Sequence, residues 1–133
     1  MAHKFVADTS ILIEFFRGAP EVSFIAESFE EGNICIPSIV RYELLCGVKS
    51  AKHREQRLRF FEACQMIDLT PAIADRAAEI YSALRERGKT LDHEDIWIAA
   101  TALEHDLPVA TLNLRHFEAI AYIPKRSAIG LRK

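Results

Sequence analysis

Phe5-Val6-Ala7-Asp8-Thr9-Ser10 decides how this chain is read. Three apolar residues form a short strand of the fully buried kind, which stops on an acid followed by two hydroxyls. In open parallel sheets, ligands gather outside the carboxyl ends of the strands. An acid at such an end is therefore placed for a metal or a phosphoryl group, and equally for capping the helix that follows.

The rest of the chain repeats this alternation of short apolar strands with helices. Ile11 to Phe16 has helical character, and Pro20 fits the first position of a second helix running to Glu31, stopped by Gly32. Ile34-Cys35-Ile36 predicts a second strand, and Ser38 is a candidate cap for a helix over Ile39 to Val48. An amphipathic helix over Ala51 to Cys64 leads to a third strand at Met66 to Leu69. Thr70-Pro71 opens a long helix to Arg87 with Gly88 behind it. Asp92 is a candidate cap for a helix over Glu94 to His105. Leu107 to Ala110 and Ile120 to Ile123 predict further strands, separated by a turn or short helix over Asn113 to Phe117. The expected fold class is α/β, a mostly parallel sheet of four to five short strands with helices on both faces.

The chain has 133 residues, half of them apolar and 27% charged, as expected for one folded domain spanning 1–133. Seventeen basic and nineteen acidic side chains leave a formal charge of −2, which excludes a bulk-basic coat on nucleic acid but not a local basic patch. The three cysteines, Cys35, Cys46 and Cys64, form no CxxC pair and lie among apolar residues; they read as reduced core residues and point to a cytoplasmic setting. No apolar run has signal-peptide or membrane-span character, so a soluble protein away from the membrane is expected.

Three acids stand out. Asp8 ends the first strand. Glu43 shares a helix face with Ile39, Cys46 and Gly47, where a carboxylate is costly unless paired; the bland alternative is an acid at the core rim, paired with an arginine from elsewhere. Asp95 opens Ile96-Trp97-Ile98-Ala99-Ala100-Thr101-Ala102-Leu103, a helix apolar nearly all round and therefore buried. Asp92 and Glu94 suit the ordinary first-turn role beside the helix dipole. Thr111 and Asn113 follow the fourth strand, with a turn or cap as the alternative for Asn113. Carboxylates converging without histidine or thiolate suit Mg²⁺ or Mn²⁺, which activate water and clamp phosphoryl oxygens. His93-Glu94-Asp95-Ile96-Trp97 lacks the second histidine of a zincin helix, and no GxSxG elbow, P-loop or GxGxxG is present.

Four segments together resemble the PIN domain, and within it VapC-type toxins of toxin–antitoxin pairs. They are Phe5 to Ile13, Ile36 to Gly47, Asp95 to Ala102 and Val109 to Phe117. The resemblance implies an α/β/α sandwich and an Mg²⁺- or Mn²⁺-dependent endoribonuclease with its acidic triad at Asp8, Glu43 and Asp95. Thr9, Thr111 and Asn113 would steady the first aspartate and the ion from one layer further out. Many relatives carry acids near Asn113 and at His116, where this chain has none. The resemblance also implies a homodimer silenced by a VapB-type antitoxin that commonly binds operator DNA. A catalytically weak PIN-like binding or scaffold domain is the alternative, and a receiver-like phosphoacceptor lacks the paired acids and the lysine it needs.

RNA requires cations on the protein. Lys49, Lys52, Arg54, Arg57 and Arg59 form one basic segment, and Arg115, Lys125, Arg126, Arg132 and Lys133 another. Either is a candidate phosphate contact or an ordinary solvated surface, and Arg115 is preferred for its closeness to Thr111 and Asn113.

Overall fold

β1 (Phe5–Ala7) lies near the middle of a sheet whose strand order is β3-β2-β1-β4. The computed structural model describes residues 3–118 and 120. After β1 come α1 (Thr9–Phe16), a 3₁₀ turn (Pro20–Val22), α2 (Phe24–Glu30), β2 (Ile34–Pro37), α3 (Ser38–Cys46), α4 (Ala51–Glu62) and β3 (Gln65–Ile67). The chain then forms α5 (Pro71–Glu86), α6 (His93–Glu104), β4 (Val109–Ala110) and α7 (Leu114–Glu118). All three strand pairings are parallel, with Val6 opposite both Cys35 and Val109, and Ile36 opposite Met66.

The expected α/β architecture is the one observed: a parallel sheet flanked by helices, with α2 against β2, α4 against β3 and α6 against β1. From β1 the chain builds outward through β2 to β3, then crosses back to add β4 on the other side of β1. The order of strands thus reverses between β1 and β4, and their carboxyl ends, at Asp8 and Thr111, lie where open parallel sheets form the crevice that takes their ligands.

β1, β2 and β4 are buried along their whole length. Phe5, Val6, Ala7, Ile34, Cys35, Ile36, Val109 and Ala110 are all in the core. Phe61 is fully buried at 0% exposure, with the Phe60 ring 6.2 Å away and the Arg41 guanidinium 5.2 Å above it. Phe60 in turn meets Phe15, Phe16 and Phe29. Thr70 caps α5 by accepting from the Ile73 amide, and Pro71 follows at its first position. Gly88 sits behind α5 at φ +70°, a left-handed geometry that needs no side chain. Among the described residues no helix is long and apolar enough to cross a membrane.

Several sequence expectations are corrected. The helix expected from Pro20 to Glu31 is divided, because Pro20–Val22 forms a 3₁₀ turn before α2 begins at Phe24. Ser38 is not the cap of α3; Pro37 holds that position, and the Ser38 hydroxyl donates to the Ile67 carbonyl of β3. Asp92 occupies the cap position of α6 but its side chain makes no capping bond. Of the cysteines only Cys35 is buried; Cys46 is exposed and Cys64 half-buried. Cys46 faces out because α3 turns Val40 and Leu44 into the core. β3 ends at Ile67, leaving Leu69 53% exposed. The strand expected at Ile120 to Ile123 lies outside the described residues beyond Ile120.

Phe61→Ala should lower unfolding free energy by about 3–5 kcal/mol, since it empties a fully packed site. Leu69→Ala should stay within about 0.5 kcal/mol. Urea denaturation of the two variants measures the contrast.

Candidate active site

Asp8 is the residue around which the crevice is built. It is only 3% exposed, so its carboxylate must be matched by donors from the protein. Oδ1 accepts from the Thr9 amide at 2.8 Å, which caps α1. Oδ2 accepts from the Ser10 hydroxyl at 2.8 Å and from the Thr111 hydroxyl at 2.6 Å. The helix-cap reading of Asp8 is therefore the one observed, and the two hydroxyls on Oδ2 hold it beyond what a cap requires.

The two hydroxyls are themselves oriented. The Leu112 amide donates to Ser10 Oγ at 3.1 Å, and the Asn113 amide donates to Thr111 Oγ1 at 2.8 Å. Each hydroxyl accepts from the backbone and so turns its proton toward Asp8. The Asp8 amide also bonds the Ala110 carbonyl at 3.0 Å. The loop after β4 is thus fastened to the loop after β1 through backbone and side chains alike.

Thr9 joins a second acid to the first. Its amide holds Asp8, and its hydroxyl donates to Glu43 Oε1. Glu43 arrives from α3 half-buried, and its carboxyl holds its proton to a higher pH than an ordinary glutamate. Burial is the main cause, opposed by the Thr9 bond, with Glu94, Asp8 and Asp95 adding repulsion. No arginine pairs with Glu43 among the described ion pairs, so the core-rim reading lacks its partner.

Asp95 stands in the first turn of α6, its side chain 13% exposed. Its carboxyl is also pushed up, first by burial and then by Asp8, while His116 pulls it down. His116 Nδ1 lies 2.7 Å from Asp95 Oδ2.

The structure therefore brings Asp8, Glu43 and Asp95 into one electrostatic field; the Thr111 hydroxyl bonds Asp8, whereas Thr9 holds Asp8 by its amide and gives its hydroxyl to Glu43. Asn113 takes part through its backbone, while its exposed side chain makes no described hydrogen bond to the acids. Arg115 is exposed on α7, next to His116. Sequence reasoning missed Ser10, whose hydroxyl next to Thr9 was the available signal. It also missed the pairing of His116 with Asp95, for which a separation of 21 residues offers no local signal. Glu94, expected to serve only the helix dipole, adds to the field at Glu43.

The donor set fits a hard divalent cation: carboxylate oxygens that repel one another in a half-buried crevice. Among the described residues no three histidine, cysteine or acidic side chains are gathered closely enough to grip one ion as they stand. Their oxygens are instead turned to Thr9, Ser10, Thr111 and His116.

The PIN domain family model matches residues 5–122. The chain is 33% identical to Ribonuclease VapC19 of Mycobacterium tuberculosis over 112 residues, covering 83% of this chain and 89% of that protein. It is 30% identical to Ribonuclease VapC1 of Methanocaldococcus jannaschii over 118 residues, covering 88% of this chain and 81% of the relative. The crystal structure of DNA-bound VapBC from Salmonella typhimurium superposes with a TM-score of 0.76 at 30% identity, covering 91% of this chain and 95% of that one.

Two outcomes follow from the geometry. Thr111→Val removes one hydroxyl donor from buried Asp8 and leaves the Asn113 amide without its acceptor. It should lower stability by about 1–3 kcal/mol in urea denaturation, and Thr111→Ser should restore it. Asp95→Asn should raise the melting temperature of the metal-free chain at neutral pH by up to about 4 °C. A raised carboxyl weakens the fold only where it is ionised. The gain should therefore grow as pH rises from about 4 through the folded-state pKa and vanish below it. A lower melting temperature at every pH would show that His116 more than offsets the repulsion.

Proposed function

The chain belongs to the PIN domain family, with VapC-type relatives, and on that premise we propose that it is the toxin of a toxin–antitoxin pair, a metal-dependent endoribonuclease. The observation that carries this reading is the convergence of Asp8, Glu43 and Asp95 at the crevice between β1 and β4, with two of the three carboxyls pushed up by burial and by one another. Such mutual repulsion is destabilising in a structural role and useful where a cation is to be held.

Asp8 and Asp95 would hold Mg²⁺ or Mn²⁺ directly, and Glu43 directly or through water. The ion supplies Lewis acidity at a phosphoryl oxygen and lowers the pKa of water. Asp8 stays fixed by the hydroxyls of Ser10 and Thr111. Glu43, steadied by Thr9 and with raised proton affinity, is suited to orient the attacking water and accept its proton at Oε2. His116 on α7 bonds Asp95 at Oδ2 and would orient that carboxylate. The displacement at phosphorus is in line, and the leaving oxygen departs on the side away from the water.

Partner assignments rest on relatives. The Salmonella structure is a VapBC assembly bound to DNA, and a second similar structure is a toxin–antitoxin complex from Klebsiella pneumoniae, with TM-score 0.73 and 29% identity. They support a VapB-type antitoxin as the partner; operator DNA bound through it, a toxin homodimer and action in the cytoplasm belong to the same proposal.

Purified chain should cleave single-stranded RNA with Mg²⁺ or Mn²⁺ and stop in EDTA. Asp8→Asn and Asp95→Asn should each lower cleavage by about 100-fold or more. Undiminished cleavage by either variant would sink the assignment of that acid. A wild-type chain that binds RNA without cutting it would favour a binding domain instead.

A further inference from the structure

A groove of about 340 Å³ opens beside the acidic crevice, between the end of α1, α3 and the start of α4. Glu43 forms part of its wall, so the groove begins at the site itself. The wall further out carries Phe16, Arg17, His53, Gln56 and Arg57. Beside the apolar Ile13 and Leu44 and the small Gly47, these guanidinium, aromatic, imidazole and amide side chains make a lining complementary to a polyanion with flat bases.

Arg57 is the most constrained of them. Its guanidinium lies 4.7 Å above the Phe16 ring, and Nη1 donates to the Leu44 carbonyl at 3.1 Å. That bond uses one of five N–H donors. Among the described residues Arg57 has no carboxylate partner, whereas Arg17 is paired with Glu14 at 2.9 Å. A guanidinium held over an aromatic ring, with four N–H donors left and no paired carboxylate, is preorganised for a phosphate or a base. Gln56 and His53 are exposed one turn apart on the same helix and offer both donor and acceptor groups.

We infer that this groove seats the nucleotide flanking the scissile phosphate of a single-stranded RNA, with Arg57 as its phosphate anchor and Gln56 reading its base. This rests on the ribonuclease reading above. A strand whose phosphate sits at the acids must continue away from them, and the groove is a path that shares Glu43 with the site and also carries Arg17 and Arg57. A duplex cannot present a base to a pocket of this width beside an aromatic ring, whereas an unpaired strand can. Of the five basic residues between Lys49 and Arg59, only Arg57 lines the groove, so the segment's contribution to phosphate binding is concentrated there.

The test uses the full chain, a labelled single-stranded RNA of mixed sequence, and two readouts. The first is binding by fluorescence anisotropy in EDTA over a salt series. The second is the base frequency beside the cut after limited cleavage with Mg²⁺. Arg57→Gln keeps a donor for the Leu44 carbonyl and loses the charge. It should weaken binding about tenfold and flatten the log–log salt slope by about 0.7, the value for one single-strand phosphate contact. Gln56→Ala, on an exposed position, should leave the slope unchanged and redistribute the bases beside the cut. Arg57→Lys should keep the slope, and it serves as the charge test if the Gln variant melts early. An unchanged slope in Arg57→Gln overturns the inference even if affinity drops, because the loss is then structural. An unchanged base distribution in Gln56→Ala overturns it as well. Variants that bind and cut RNA normally but resist inhibition by a coexpressed antitoxin would make the groove a peptide site instead. A wild-type chain that does not cut RNA removes the ribonuclease reading; a cutting wild type with unmoved variants removes only the groove.

Discussion

A buried carboxylate has to be hydrogen-bonded, and in this chain that requirement fastens the sheet's central crevice together. Asp8 ends β1 beneath the surface and collects the Thr9 amide, the Ser10 hydroxyl and the Thr111 hydroxyl. Removing the carboxylate would orphan donors from two loops, and removing a donor would leave the carboxylate short. The loops after β1 and β4 are consequently held at one separation. Thr9 extends the same arrangement to Glu43, so α3 is tied to the end of β1 through one side chain.

The acids also work against the fold. Glu43 and Asp95 are driven toward their protonated forms by burial and by neighbouring carboxylates, Asp8 acting on both, and the hydrogen bonds from Thr9 and His116 only partly oppose this. A site shaped for stability alone would replace one acid with an apolar residue or supply an arginine. What the chain supplies instead is hydroxyls, one imidazole and backbone amides, all groups that a divalent cation can displace or work beside. Stability traded for charge at a crevice is a common mark of function. Because Arg17 and Arg57 line the groove that Glu43 also lines, and Lys52, Arg54 and Arg59 lie on the same helix as Arg57, a formal charge of −2 is compatible with a polyanionic substrate.

Much of the fold was legible from residue pattern. Short strands without polar alternation predicted a doubly covered parallel sheet, and Thr70-Pro71 and Gly88 marked the ends of α5. The misread places were those where a tertiary contact outranked local chemistry. Ser38 has the composition of a helix cap, yet its hydroxyl goes to a carbonyl of β3. Cys46 sits among apolar neighbours in sequence and faces outward, because helix periodicity turns Val40 and Leu44 inward instead.

The sequence by itself determined the fold class and the identity of the three acids, because strand burial, helix periodicity and family motifs are all written in local residue order. The tertiary structure alone decided how those acids are held. It matched Asp8 with Thr111 across 103 positions and Asp95 with His116 across 21. It also opened the groove that places Arg57 beside Glu43. Hydrogen bonds between strand ends and packing between helices depend on which elements become neighbours in space. That is fixed by the order in which the strands join the sheet, and local residue pattern does not encode it.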